Sequence, residues 1–307
     1  MSMNIIFLGT AGSIPTIDRS LSAIILKRQN EQIMFDCGEG TQRQILKAKT
    51  GFHKKMKILI SHLHGDHVLG LPGLLQTMAL MDRQKKIEIY GPVGIKKFMD
   101  CSKEILKFGL TFSVDIVEVV NSGIICEEKE YFIEATKSSH SEKSLSYGFI
   151  EKPRPGKFFP EKATALKIPE SKFWSSLQHG KDIELPDGRI IKASKVTGPL
   201  RKGRKIIYSG DTRPFITFEK FAYKADLIIY ESTFDDSLIE KAKVDGHSTP
   251  SQAAKEAKKA KAKKLLLTHI SARYPDSNIL VKQAQKIFKN TIVAKDFMEI
   301  ELPLSEN

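Results

Sequence analysis

No apolar run in this 307-residue chain approaches the roughly 18 residues that a membrane-spanning helix needs, so the sequence predicts no such helix. Cysteine is scarce. Cys37, Cys101 and Cys126 are odd in number and far apart, which excludes a disulfide framework and a thiolate zinc site. They read as small buried side chains in a protein of the reducing cytoplasm. The start, Met1-Ser2-Met3-Asn4-Ile5, has no basic stretch followed by an apolar one, so no secretory leader is expected. The turn Gly9-Thr10-Ala11-Gly12 lacks both G-x-G-x-x-G and a P-loop lysine, which argues against a nucleotide loop. No internal repeat is visible, and Ser61, Ser138 and Ser209 read as turn formers, not nucleophiles.

Positive charge is present in excess, at a formal net +13. It is not spread evenly. From Glu151 to Lys205 there are 14 Lys and Arg against 6 Asp and Glu, so most of the surplus sits in one segment. A local basic footprint of this kind suits a phosphate polymer.

The densest chemistry lies in His62-Leu63-His64-Gly65-Asp66-His67, which packs three imidazoles and a carboxylate into six residues. Imidazole suits zinc, and carboxylate adds a hard oxygen ligand. An apolar strand, Ile58 to Ile60, runs into this motif. Three more apolar strands finish in a candidate ligand: Tyr131–Ala135 before His140, Lys205–Tyr208 before Asp211, and Lys264–Leu267 before His269. In α/β sheets, loops past the carboxyl ends of strands converge on the site. Four strands that end this way carry more weight than any single histidine.

Elsewhere, Ala23–Leu26 and Ile33–Phe35 predict a hairpin, and Leu71–Met81 predicts an apolar helix. Gly94–Phe108 predicts a second helix, with Ile95, Phe98, Ile105 and Leu106 as its core stripe. Met78, Met81 and Met99 read as core fillers. Asp36 and Glu39 suit either turn capping or orientation of ligand histidines.

From Glu151 to about Lys205 the alternation of elements breaks down. Lys152-Pro153-Arg154-Pro155-Gly156-Lys157 is basic and Pro-rich, and Phe158, Phe159, Phe173 and Trp174 stand among lysines. This reads as a basic arm inserted at about residues 151–200, and its mixture of cations and aromatics suits a nucleic-acid backbone. Further on, Thr249-Pro250-Ser251-Gln252 predicts a helix start with a capping box. His247 then sits just outside a helix N-terminus, where backbone amides favour an anion. The lysine run from Lys258 to Lys264 reads as a solvated helix face.

The candidate ligands are His62, His64, Asp66, His67, His140, Asp211 and His269. One zinc takes about four ligands, so seven suit two ions sharing a carboxylate. A pair of zincs matches in-line hydrolysis at phosphorus.

The combination resembles the metallo-β-lactamase superfold and, within it, the ribonuclease Z family. The resemblance rests on Phe35-Asp36-Cys37-Gly38-Glu39-Gly40-Thr41-Gln42, His62–His67, Ser139-His140 and Ser209-Gly210-Asp211-Thr212. It extends to His247-Ser248-Thr249 and His269-Ile270-Ser271-Ala272-Arg273-Tyr274. It implies a single α/β domain over residues 1–307, a four-layer αββα sandwich with a protruding basic arm. It implies a zinc endoribonuclease that removes the 3′ trailer from tRNA precursors, leaving a 3′-hydroxyl on the tRNA and a 5′-phosphate on the trailer. By the same resemblance His62, His64 and His140 hold one zinc, Asp66, His67 and His269 the other, and Asp211 bridges. Asp66 would also deprotonate the attacking water, and His247, held by Glu231, would assist at the scissile phosphate or the leaving oxygen. The arm would grip the tRNA, with Lys152, Arg154 and Lys157 as RNA-binding candidates and Arg273 as a fourth outside it. A cytoplasmic homodimer is the implied assembly.

Two departures from the family pattern stand out. The P-x-K-x-R-N loop reads Pro15-Thr16-Ile17-Asp18-Arg19-Ser20, without the lysine and asparagine used to sense CCA-bearing ends. The H-E-A-T box reads Tyr230-Glu231-Ser232-Thr233. The metal motifs by themselves also suit a small-molecule phosphodiesterase or thioesterase of the same superfold. A non-catalytic RNA-binding protein with structural zinc is a third reading.

Overall fold

Runs such as Leu227–Glu231 and Leu265–Thr268 are apolar at nearly every position because both faces of the strands they form are covered. The computed structural model describes residues 3–304; the reading of Met1 and Ser2 as part of a leaderless start lies outside the described residues. Two seven-stranded sheets form among them. The first runs, in spatial order, Glu299–Glu301, Met3–Gly9, Ala23–Arg28, Glu31–Phe35, Lys55–Leu59, Ile87–Pro92 and Val114–Val119. The second runs Thr291–Val293, Leu265–Thr268, Leu227–Glu231, Lys205–Tyr208, Leu145–Glu151, Tyr131–Lys137 and Gly123–Glu127.

Three apolar clusters give the layer order. Phe7, Phe35, Tyr147, Phe149, Tyr208 and Ile229 belong to a core drawn from both sheets, which therefore face each other. Ile58, Ile60, Leu71, Leu75 and Met78 join the outer face of the first sheet to the helix Gly70–Leu80. Ile228, Leu267, Ala253 and Ala257 join the outer face of the second to the helix Pro250–Lys259. The order is helix, sheet, sheet, helix. Each fully buried Ile or Leu contributes on the order of 1.5–3 kcal/mol.

Under the ligand loops the sheets are also bonded to each other. Tyr147 Oη donates to the Ile60 carbonyl at 2.7 Å, and the Leu145 amide donates to the Ser61 carbonyl at 2.9 Å. Among the described residues no helix is long and apolar enough to cross a membrane.

Contacts set Glu151–Arg204 apart as a unit with its own core. Its helices Pro160–Ala165 and Lys172–Gln178 and a two-stranded ribbon, Ile183–Glu184 with Ile190–Ile191, bury Ala163, Leu177 and Val196. Its base is closed by a buried ion pair, Arg204 Nε to Glu151 Oε2 at 2.7 Å. Phe158, Phe173 and Trp174 pack against this small core, and Trp174 Nε1 donates to the Ile168 carbonyl at 3.0 Å. These rings serve the unit's own packing.

Several local expectations change. The hairpin is tighter than expected: Arg28 pairs with Glu31 across Gln29-Asn30. The second helix spans Ile95–Leu106, but Ile105 is 76% and Leu106 56% exposed. Ile105 lies about 80° round the helix from Ile95 at 100° per residue. Leu106 is in the last turn, before Lys107 turns the chain at φ 50°. Met99 fills the core position instead, whereas Met81 and Cys101 are exposed.

Candidate metal centre

Two glycines beside the ligand cluster are fixed by close packing. After Lys205–Tyr208 the chain turns at Gly210, φ 58°. A Cβ there would lie 2.8 Å from Ser61 Cβ and 2.9 Å from the Leu145 carbonyl oxygen, so only glycine fits beneath Asp211. Gly246 is similar: φ is 81°, and a Cβ would meet His140 Nδ1 at 2.8 Å. His269 and Asp36 adopt φ 58° without being glycine. Such residues store on the order of 1–3 kcal/mol of strain, which the surrounding bonds must hold.

The structure brings all seven candidate ligands together. His140 Nε2 lies 3.1 Å from His64 Nδ1, and His67 Nε2 lies 3.2 Å from His269 Nε2. Asp66 Oδ2 is 3.4 Å from His67 Nε2 and 3.2 Å from His269 Nε2. Asp211 Oδ2 reaches both groups: it is 3.3 Å from His67 and His269, 3.7 Å from His62 and 4.0 Å from His140. His62, His64 and His140 form one cluster of donor atoms, and Asp66, His67 and His269 form another.

This arrangement fits metal ions. Donors about 2.0–2.1 Å from a tetrahedral zinc stand about 3.3 Å from one another, close to the spacings here. Facing nitrogen lone pairs at 3.1–3.2 Å repel unless a proton or cation lies between them. His62 Nε2 and Asp211 Oδ1 are buried with no hydrogen-bond partner, a costly state that a cation relieves.

Four of the five ligand histidines have their opposite ring nitrogen engaged. His62 Nδ1 pairs with Ser61 Oγ at 3.0 Å, His67 Nδ1 with Asp36 Oδ2 at 2.7 Å, His140 Nδ1 with the Gly246 carbonyl at 2.9 Å, and His269 Nδ1 with Thr233 Oγ1 at 2.8 Å. Each bond fixes a tautomer that leaves Nε2 as an acceptor for metal. Ser61 is thus more than a turn former, because it also donates to Asp36 Oδ2 at 2.8 Å. Asp36 takes a further bond from Tyr208 Oη at 2.6 Å, while Glu39 is exposed. Asp36 takes the orienting role; Glu39 does not.

Electrostatics follow from this packing. Burial and the neighbouring imidazoles push His62 well below its ordinary range, so its metal-binding neutral form is favoured. Burial opposes ionisation of Asp66 and Asp211, yet the histidines around them outweigh it and hold both carboxyls low. His247 is buried, which disfavours its charge, but Glu231 Oε1 at 2.8 Å from its Nδ1 raises it to about 9. Thr233, the last residue of the Tyr230-Glu231-Ser232-Thr233 box, ties this pair to the cluster: its hydroxyl donates to Glu231 Oε2 at 2.9 Å and accepts from His269. Its advance signal was its place at the threonine of that box. The capping box at Thr249 and Gln252 is present, with His247 two residues before it.

The comparisons with known proteins agree with this geometry. The chain is 43% identical over 302 residues to the ribonuclease Z of Methanosarcina acetivorans, covering 98% of each. The chain belongs to the ribonuclease Z family. A ribonuclease Z from Nitrosopumilus maritimus is also 43% identical, over 98% of this chain and 100% of its own. The crystal structure of the short form of human tRNase Z superposes with a TM-score of 0.74 at 31% identity, covering 98% of this chain and 100% of that one. Residues 177–270 match the beta-lactamase superfamily domain, and residues 3–154 match the family described as anti-Pycsar protein Apyc1.

The structure places the residues at both departures from the ribonuclease Z pattern. Tyr230, where the family has histidine, is fully buried with its ring 5.0 Å from that of Phe218. Arg19 turns inward, donating to Thr10 Oγ1 and the Ala294 carbonyl, both at 2.7 Å. Ile17, at the lysine position of that loop, is fully exposed. Of the RNA-binding candidates, Lys157 and Arg273 are exposed, and Lys152 and Arg154 are half-buried.

Proposed function

We propose that this ribonuclease Z family member is a two-zinc endoribonuclease that removes the 3′ trailer from tRNA precursors. The observation that carries the reading is the convergence of seven donors at tetrahedral spacing from loops of both sheets. His62, His64 and His140 would hold one zinc, Asp66, His67 and His269 the other, with Asp211 between them. When bound, the ions supply charge stabilisation at phosphorus and lower the pKa of water.

The chain's own groups do the rest. Asp66, held ionised, accepts a hydrogen bond from the attacking water and orients it. It would also take that water's proton as it attacks. His247, protonated at neutral pH through Glu231, presents Nε2 to the leaving 3′-oxygen and donates the proton it needs. The products are a tRNA 3′-hydroxyl and a trailer 5′-phosphate. The basic unit Glu151–Arg204, with Lys152, Arg154 and Lys157, takes the tRNA backbone. A cytoplasmic homodimer completes the reading.

End-group analysis of a cleaved tRNA precursor is the test. A 3′-hydroxyl on the tRNA and a 5′-phosphate on the trailer support the assignment. An intact precursor in the presence of Zn²⁺ or Mn²⁺ refutes it.

A further inference from the structure

Of the four anchored ligand histidines, three are held by buried side chains: His62 by Ser61, His67 by Asp36 and His269 by Thr233. His140 differs. Its Nδ1 donates to the main-chain carbonyl of Gly246 at 2.9 Å. Gly246 ends the helix Ile239–Asp245, in which Ala242 is the buried residue and Val244 is 83% exposed. Little apolar packing therefore fixes the turn that orients this ligand.

That turn is held by polar bonds instead. The last carbonyls of a helix have no partner within it. Here the amides of Gly246 and His247 both turn back to the Ala242 carbonyl, His247 at 2.7 Å. The next carbonyl, that of Lys243, accepts from Arg213 Nη1 at 3.3 Å.

Arg213 stands two residues past the ligand Asp211, and it reaches a second segment as well. Its Nε donates to the Ser139 carbonyl at 3.2 Å, and its own amide donates to the same oxygen at 3.1 Å. Ser139 immediately precedes His140. One guanidinium thus joins the chain entering His140 to the helix end that accepts from the His140 ring. Both of its side-chain bonds go to carbonyls, and among the described residues no carboxylate pairs with it. A planar fork can serve two acceptors at a fixed separation, and its charge suits the negative end of a helix.

We propose that Arg213 is a positioning residue for His140. It clamps the helix end to the Ser139 segment, so that the Gly246 carbonyl holds the imidazole with Nε2 free for metal. Its influence falls on the cluster His62, His64 and His140. The cluster Asp66, His67 and His269 has its own anchors in Asp36 and Thr233. The assignment rests on the two-zinc reading above.

The test is competition for Zn²⁺ between a chromogenic chelator and metal-free protein, resolved into two binding constants. Wild type should take two ions. Arg213→Ala should weaken one of them about tenfold, the low end of the cost of losing a supporting group, and leave the other within about twofold. Arg213→Lys, which offers a single point of donation, should fall between. In a His140→Ala background, where the ligand is already gone, Arg213→Ala should change the remaining affinity by less than about twofold. At saturating Zn²⁺ the KM of Arg213→Ala for a tRNA precursor should match that of wild type. Equal weakening of both ions, no weakening, or an additive loss in the His140→Ala background would overturn the assignment. A raised KM at normal metal content would do the same, by making Arg213 an RNA contact. Melting temperatures identify a variant that fails to fold, and Arg213→Lys then carries the same comparisons. Wild-type protein that takes up no Zn²⁺ would refute the metal reading itself, and the role of Arg213 with it.

Discussion

Replacing Glu231 by Gln removes the charge that holds His247 protonated and nearly preserves the side-chain volume. Glu231 Oε1 lies 2.8 Å from His247 Nδ1, and this carboxylate is what lifts the imidazole to about 9 against its burial. Without it, burial dominates and the value falls to the ordinary 6.5 or lower. At pH 7.5 a group of pKa about 9 is roughly 97% protonated, and one of pKa 6.5 roughly a tenth protonated. If protonated His247 serves the leaving oxygen, kcat at pH 7.5 falls about tenfold from protonation alone. The direction with pH is specific. A raised pKa keeps the acid present up to about 9, so the wild-type rate does not fall from this cause between pH 6.5 and 8.5. The variant should lose about fivefold from pH 6.5 to 7.5 and about ninefold more to pH 8.5. The assay is single-turnover cleavage of a tRNA precursor from pH 5.5 to 9.5, with metal content measured on the same samples. Metal content is needed because Glu231 also accepts from the Thr212 amide at 3.1 Å and from Thr233 Oγ1. A variant with normal metal content and an unshifted alkaline limb would refute the acid role of His247.

Asp36→Asn should weaken metal binding about 10–100-fold by loosening His67, read by competition with a chelator; unchanged affinity would contradict the orienting role of Asp36. Excising residues 152–203 and joining the ends with a short glycine turn should abolish tRNA cleavage yet spare hydrolysis of a small chromogenic phosphodiester. The ends are already adjacent, since the Glu151 amide donates to the Arg204 carbonyl at 2.9 Å. Equal retention of both activities would remove the unit from tRNA binding. Thr249→Ala should cost about 1 kcal/mol through loss of the helix cap, a fall of about 2 °C in Tm, without change in metal content.

The ligands were legible because four apolar strands each ran into a histidine or acid, although the one before His140 pairs antiparallel with Gly123–Glu127 and is only partly buried. The order of the layers came with the family resemblance; composition alone does not give it. What stayed hidden depends on contacts distant in sequence. The residues around Asp36 allow an orienting carboxylate but do not name His67 and Tyr208 as its partners, and the box that holds Thr233 does not name His269. The sequence likewise does not show that Phe158, Phe173 and Trp174 cover a small core of their own. Ile105 and Leu106 satisfied an apolar count but fell outside the buried stripe, because the end of their helix has little packed against it.

The central claim is that loops of two facing sheets bring seven donors to a paired metal site that cleaves RNA. Metal analysis of gently purified protein, followed by chelation and reconstitution, tests it most directly. The account predicts about two zinc ions per chain, loss of tRNA-precursor cleavage when they are stripped, and recovery when Zn²⁺ is returned. Metal-free protein that cleaves the precursor at full rate in chelator would contradict it.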